Sequence, residues 1–151
     1  MQELKWVHDM IRADLERVRQ LADAASAGLT AEELRAGVES LATNTLLWQV
    51  KVRCLHHCRF VHGHHTLESA ILFPELRRTN PALNPVVDKL EADHASIATL
   101  LDTVEAAAHA DDRDALVDAL NRLGEDLLAH LAYEEEHISD TLRTWQRWPY
   151  M

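Results

Sequence analysis

Glycine, proline and cysteine are scarce in this chain of 151 residues, which contains four Gly, four Pro and two Cys. So few turn-forming residues argue against a β-sandwich or barrel, and the prevalence of Ala, Leu, Glu and Asp favours helices. No apolar run approaches the roughly 20 residues that a membrane span needs. The first residues, Met1–Trp6, lack the apolar core of a signal peptide. We therefore expect a cytoplasmic protein with no membrane partner.

Basic residues are also few. The 15 Lys and Arg are outnumbered by 25 Asp and Glu, which gives a formal net charge of −10. Nucleic acid and anionic membranes are therefore poor partners, because like charges repel. Cys54 and Cys58 are too few and too close together for a disulfide framework. We interpret them as half-buried free thiols, with a redox or metal role as the alternative. Histidine, in contrast, is abundant, with ten residues.

Apolar residues recur every three or four positions in four long segments, and this spacing predicts an all-α protein. The segments extend over about residues 4–27, 45–78, 85–110 and 112–143. Because most links between them are short, we expect a single domain over residues 1–151, folded as an antiparallel up-down four-helix bundle. The aromatic tail that follows is expected to fold back on the bundle.

Local signals refine the links between these helices. Thr30 and Glu33 form a capping box, which predicts a short extra helix over about 31–42, inserted between the first two long helices. A break is expected at residues 43–45, which have N-cap chemistry. Asn84 is predicted to be the N-cap of the third long helix, with a proline in the first turn.

Two His-x3-Glu pairs and two further His residues lie on the apolar stripes of the predicted helices. Within each pair, the side chains project from one helical face, one turn apart. A weak internal repeat relates the two halves of the chain, because each half contains one lone His followed by one such pair. The six residues are His8, His64, Glu68, His94, His130 and Glu134.

Helix lengths place these six residues at one level of the bundle. His94 precedes the turn near residue 110 by about 16 residues and His130 follows it by about 19, which at 1.5 Å per residue corresponds to about 24 and 28 Å. His8 lies about 20 residues before Gly28, and His64 lies about 20 residues after the break expected at Asn44. Four imidazoles and two carboxylates buried together would be costly without partners. A pair of metal ions removes that cost, because carboxylates can bridge two ions and imidazoles can complete each coordination sphere.

Nitrogen and oxygen ligands without thiolate favour iron or manganese, with zinc as an alternative. Two His and two carboxylate oxygens per ion leave room for a bridging oxide or hydroxide and for an exogenous ligand. The competing interpretation is a metal-free helical scaffold, in which hydrogen-bonded core His residues and salt-bridged Glu residues occupy the same positions.

These residues resemble the signature of the hemerythrin-like (HHE cation-binding) domain family, over essentially residues 4–143. The motifs are His8, then His64-His65-Thr66-Leu67-Glu68 with Leu72-Phe73-Pro74, Asp93-His94, and His130-Leu131-Ala132-Tyr133-Glu134-Glu135. The resemblance implies a four-helix bundle with a non-haem di-iron centre, in which two Fe ions cycle between Fe²⁺ and Fe³⁺ around a bridging oxo or hydroxo group. Implied activities include reversible oxygen binding, peroxide breakdown and sensing of iron, oxygen or redox state.

The sequence departs from oxygen-carrying hemerythrins, which use five His residues with a pair in the third helix. Here the third long helix has only His94, since Leu90 and Ala98 stand four residues to either side. The last motif ends in Glu134, where the carriers have a more distant Asp. One fewer imidazole implies a more open centre, which favours peroxide or redox chemistry over oxygen carriage.

Several neighbours are weaker candidates. Tyr133 and His137 are considered as further ligands or catalytic groups, with ordinary packing as the alternative. His62 and His65 point to the flank of the stripe, although a kink or π-bulge at Gly63 could re-aim them. The other candidates are assigned to the core or the solvated surface and are not expected to bind metal: His56, His57, His109, Glu135 and Glu136.

Three functions therefore compete. The first is a di-iron centre that binds O₂ or breaks down hydrogen peroxide in a catalase-like reaction. The second is an iron, oxygen or redox sensor, whose metal loading controls its stability or the surface offered to a protein partner or a second copy. The third is the metal-free scaffold.

Overall fold

The computed structural model describes residues 2–27 and 41–149, and these are almost entirely helical, with no strand among them. Helix α1 covers Gln2–Ala27, α2 Leu41–Leu67, α3 Phe73–Thr79, α4 Asn84–His109 and α5 Arg113–Arg143. A π-helical turn, Glu68–Leu72, joins α2 to α3 without a break, and a 3-10 turn, Pro81–Leu83, precedes α4. The all-α bundle predicted from the sequence is confirmed.

Two details of the predicted link between the first long helices have different outcomes. The capping box of Thr30 and Glu33, and nearly all of the short helix predicted over 31–42, lie outside the described residues. The break expected at residues 43–45 is wrong, because α2 begins at Leu41 and runs through them. The strong helix formers on either side, Leu41-Ala42 and Leu46-Leu47, outweigh the N-cap chemistry of these polar residues.

Consecutive long helices run antiparallel. Between α1 and α2, His8 lies beside His64, whereas Asp14, further along α1, lies beside the earlier residue His57. The same opposite progression of residue numbers relates α2 to α4, α4 to α5 and α5 to α1. The long helices therefore form a closed ring in the order α1, α2, α4, α5.

The core consists of two apolar clusters at different heights. The larger cluster includes Ile11, Leu15, Val61, Ile97 and Leu131. The smaller cluster includes Leu4, Leu72, Phe73, Leu90 and Ile138. Along every long helix, the boundary between the two clusters falls at the buried His and Glu residues. A polar layer thus crosses the bundle between two apolar regions that exclude water from it.

The turn between α4 and α5 follows local chemistry. Asp111 has a φ of 54°, a left-handed conformation that Asp tolerates better than most residues. The side chain of Asp112 accepts a hydrogen bond from the backbone N–H of Ala115 at 3.1 Å and so caps α5. At the other end of α4, the predicted N-cap is wrong: Asn84 is already helical, with φ −52° and ψ −44°, and Leu83 precedes the helix.

The π-helical turn lies five residues beyond the position predicted for it. Gly63 sits in regular α-helix, whereas the π turn ends just before Phe73–Pro74. Proline lacks an N–H and its ring clashes with the carbonyl four residues earlier, which accounts for the altered hydrogen bonding of the preceding turn. The turn begins at Glu68, a residue of the polar layer.

The aromatic tail folds back as expected. Trp145 and Trp148 are partly buried against the smaller apolar cluster. Among the described residues, no helix combines the length and the apolar character that crossing a membrane would require.

Candidate metal centre

Five imidazoles and two carboxylates converge in the polar layer. α1 contributes one His, α2 two, α4 one and α5 one, and the two Glu residues come from the start of the π turn and from α5. The structure brings together all six residues proposed as ligands from the sequence and adds a seventh, His65. Six of the seven are fully buried or nearly so, and the seventh, His64, is half-buried.

The seven side chains form two groups that share one carboxylate. His8, His64 and Glu68 form the first group, and Glu68 with His65, His94 and His130 forms the second; within each group the potential ligand atoms lie within 4.8 Å of one another. Glu68 faces both groups with different oxygens. Its Oε1 is 2.8 Å from His64 Nε2, and its Oε2 is 3.2 Å from His94 Nε2.

Glu134 also lies between the groups. Its Oε2 is 3.5 Å from His8 Nε2 in the first group and 3.6 Å from His130 Nε2 in the second. Two donor atoms that bind one ion at about 2.1 Å, at right or tetrahedral angles, are about 3.0–3.4 Å apart. The observed separations are close to this range.

The donor atoms lack other partners. The Nε2 atoms of the five His residues and all four carboxylate oxygens of Glu68 and Glu134 are buried without a hydrogen-bond partner. Even the 2.8 Å approach of His64 to Glu68 lacks the alignment of a hydrogen bond. Nine orphaned polar atoms at one place would be strongly destabilising in a merely structural core. Their number and direction fit cation ligation.

Three of the imidazoles have a polar partner at Nδ1, the ring nitrogen that faces away from the cluster. His8 Nδ1 lies 2.9 Å from Glu135 Oε1, and His94 Nδ1 lies 2.9 Å from Ser69 Oγ. His130 Nδ1 lies 3.3 Å from an oxygen of Asp93. Such contacts orient a histidine and leave Nε2 free to bind metal.

Two of these outer partners were not expected. Glu135 was assigned to a solvated edge, but it also accepts a hydrogen bond from Arg12 at 2.9 Å and joins α5 to α1. The hydroxyl of Ser69 donates to Glu91 Oε2 at 2.9 Å and thereby extends the contact of His94 towards the surface. Both contacts connect different helices, so sequence spacing alone gives no signal for them.

Burial keeps two of the imidazoles, those of His65 and His130, neutral. Desolvation lowers the pKa of His65 to about 2, and electrostatic repulsion between the protonated forms of His65 and His94 adds to the shift. The same two effects lower the pKa of His130 to about 4. Neutral imidazole is the form that binds a metal ion, so these histidines are ready for ligation without losing a proton.

The two buried carboxyl groups have opposite shifts. Burial alone would raise the pKa of Glu68, but its contacts with His64, His8 and His94 outweigh burial and hold the pKa well below the usual value. For Glu134, burial and the nearby charge of Glu68 raise the pKa well above the usual value. Two close carboxylates therefore resist ionising together unless a cation lies between them.

His65 was expected on the flank of the apolar stripe of its helix, but the structure places it inside the cluster. On an α-helix, His65 lies about 100° from His64, and Glu68 lies between them, about 40° from one and 60° from the other. The consecutive pair can thus face two neighbouring helices and share one carboxylate. The internal repeat also indicated that His65 is buried. It aligns His65 with Leu131, which is fully buried.

The remaining candidates lie outside the cluster. His137 is exposed; its Nδ1 donates to the backbone oxygen of Tyr133 at 2.8 Å, and its ring stacks on the Tyr133 ring. Neither residue is brought to the ligand groups, because both project from a flank of α5. His57 is buried but pairs with Asp14 at 2.8 Å, and His62 is exposed.

The cysteines differ from the half-buried thiols that were expected. Cys54 and Cys58 are 0% and 1% exposed and belong to the larger apolar cluster. Desolvation is the main cause that raises the pKa of each thiol to about 12. Neither forms a thiolate readily, which argues against a redox or metal role for the pair.

With His65, the cluster contains five imidazoles. The expectation of a centre with one imidazole fewer than the oxygen carriers is therefore wrong, and the openness inferred from that count no longer holds. Access is instead provided by a solvent-open cleft of about 520 Å³ between α2 and α4, which is lined by His65 and His94.

Comparison with known proteins agrees with the geometry. The family model described as the hemerythrin HHE cation-binding domain matches residues 1–142. No curated protein and no solved structure matches the chain. The family match spans every residue of the cluster, whose His and Glu side chains are candidate ligands for a cation. The chain belongs to the hemerythrin HHE cation-binding domain family.

Proposed function

We propose that the cluster holds two iron ions and that the loaded centre reacts with hydrogen peroxide or O₂. The observation that carries this proposal is the set of nine orphaned donor atoms, divided into two groups that share Glu68. One ion cannot satisfy atoms on both sides of that carboxylate. Nitrogen and oxygen ligands without thiolate suit iron, and two carboxylates shared between two imidazole groups resemble the carboxylate-bridged di-iron sites of helical bundles.

The protein's own residues have distinct parts in this proposal. Glu68 and Glu134 would be shared between the ions, because each faces both imidazole groups. Their negative charges offset the charge of the cations, and the apolar clusters above and below exclude bulk water. The bound irons supply one-electron redox chemistry between the ferrous and ferric states.

Peroxide chemistry is favoured over simple storage by the cleft between α2 and α4. It brings solvent to the side of His65 and His94, so a small oxidant can reach this face without local unfolding. The proposal gives Tyr133 and His137 no catalytic role, because their contacts are with each other and not with the cluster.

Metal analysis and spectroscopy test the proposal. Protein purified with iron should contain about two irons per chain and show the charge-transfer absorption of a diferric centre. Hydrogen peroxide should release gas or oxidise the diferrous form, and His64→Ala should abolish both responses. His56→Ala is the matched control, because His56 is exposed on the same helix and does not line the cleft. One zinc per chain, or two irons that do not respond to peroxide, would refute the proposed reaction.

A second candidate function is a metal-dependent sensor. It is favoured by the opposed pKa shifts of Glu68 and Glu134, because a cation between them removes a repulsion that the metal-free fold must bear. Loading would then change stability and the surface available to a protein partner or a second copy. Limited proteolysis of metal-free and loaded protein tests this function. Identical cleavage of the two forms would contradict it.

A further inference from the structure

The cleft between α2 and α4 is larger than peroxide or O₂ requires. Its volume of about 520 Å³ falls within the roughly 300–1,000 Å³ of small-molecule sites. Three alanines, Ala70, Ala95 and Ala98, stand on its walls, and Leu101 closes one end. Short side chains at these positions leave the space open beside the metal cluster.

Two of the candidate metal ligands form part of the lining of this cleft. His65 and His94 are 5% and 8% exposed there, and their Nε2 atoms belong to the metal cluster. Their rings stack with centroids 4.0 Å apart. A molecule in the cleft would therefore have one end beside the metal ligands and the other against the alanines.

The charge of the rim limits the class of ligand. Glu91 lies at the cleft, half-buried, and accepts a hydrogen bond from Ser69. Its carboxylate repels anions, whereas the hydroxyl of Thr66 and the apolar walls accept a neutral molecule. The chain as a whole carries a formal charge of −10, which acts in the same direction.

We propose that the cleft binds the carbon skeleton of a neutral organic hydroperoxide and directs its O–O group to the side of His65 and His94. This proposal rests on the proposed di-iron function. Two ferrous ions held by the cluster would supply the two electrons for this reaction and be left ferric, and two protons would come from solvent. The O–O bond of the hydroperoxide is broken, and the products are the alcohol and water.

Single-turnover oxidation of the diferrous protein tests this inference. Cumene hydroperoxide and hydrogen peroxide are mixed separately with the wild-type protein and with Ala98→Leu, which narrows the cleft but leaves room for hydrogen peroxide. We expect the oxidation rate with cumene hydroperoxide to fall at least about tenfold in Ala98→Leu, while the rate with hydrogen peroxide changes less than about twofold. Ala95→Leu, at an exposed position on the same wall, provides an independent variant.

Ala129→Leu is the matched control. Ala129 is exposed and lines a separate cleft, between α4 and α5, beside His130. The substitution adds the same side-chain atoms at a helical position, and both oxidation rates should remain as in the wild type. Equal slowing with both oxidants in Ala98→Leu would overturn the inference, since the substitution would then act on the whole centre rather than on the larger oxidant alone.

A binding measurement separates failure of this inference from failure of the proposed function. The alcohol product, 2-phenyl-2-propanol, is titrated into zinc-loaded protein, and amide NMR signals are followed. Shifts at Ala70 and Ala95 that disappear in Ala98→Leu support the binding site, and absence of shifts in the wild-type protein overturns it. If hydrogen peroxide oxidises the iron but cumene hydroperoxide does not, only the cleft proposal fails. If neither oxidises it, the proposed function fails, and the titration alone decides whether the cleft binds.

Discussion

Acidification of the metal-free protein offers a direct test of where His65 lies. The pKa of His65 is about 2 in the folded chain because desolvation and the charge of His94 oppose protonation, whereas a solvated histidine has a pKa near 6.5. Below about pH 6.5 the unfolded chain therefore binds a proton at His65 that the folded chain does not bind. The free energy of unfolding consequently falls as the pH falls. Replacing His65 by Gln removes this contribution.

The size of the effect follows from the two pKa values. Between about pH 7.5 and pH 5, one histidine with these values removes about 2 kcal/mol of unfolding free energy. His130, with a pKa of about 4, contributes a similar loss. Glu134 acts in the opposite direction, since its raised pKa lets the folded state gain a proton as pH falls. The comparison between wild type and variant isolates the term from His65.

Urea denaturation of the metal-free protein, followed by circular dichroism, measures this difference. The loss of unfolding free energy between about pH 7.5 and pH 5 should be about 2 kcal/mol smaller in His65→Gln than in the wild type. His62→Gln should match the wild type, because His62 is exposed. Equal losses in wild type and His65→Gln would refute the placement of His65 in the desolvated cluster.

Three further predictions follow from the packing. Glu135→Ala should weaken metal binding about 10–100-fold in a chelator competition, because it removes the carboxylate beside His8 Nδ1, whereas Glu136→Ala, an exposed neighbour, should not. Cys54 and Cys58 should not react with a thiol reagent near neutral pH until the protein is denatured, since burial raises both pKa values to about 12; rapid labelling of the native protein would contradict this. Phe73→Ala should cost about 3–5 kcal/mol in urea denaturation, because Phe73 is fully buried and stacks on His94. Leu67→Ala, at a side chain 51% exposed, should cost less than about 0.5 kcal/mol and serves as its control.

The sequence predicted best what depends on spacing within one helix. His64 and Glu68, or His130 and Glu134, must project from one face whatever the rest of the fold does, and apolar periodicity marked that face as buried. The level of His94 beside His130 followed from helix rise and the short link between α4 and α5. The level of His8 and His64 was reached with a break at residues 43–45 that α2 does not have. The misplaced cap at Asn84 shows that helix starts are weakly specified where proline and polar residues alternate.

The tertiary structure decided what depends on the rotation of one helix against its neighbours. His65 joins the cluster and His137 does not, although each lies beside a pair of predicted ligands, because only the packing of α2 against α4 and the exposure of the α5 flank distinguish them. Glu135 on His8 and Ser69 on His94 link residues that are far apart in the chain. The chain alone therefore determined the helices, their order and the family motifs, since these rest on local geometry. The fold decided which ligand candidates share Glu68 and which face opens to solvent, since these rest on contacts between helices.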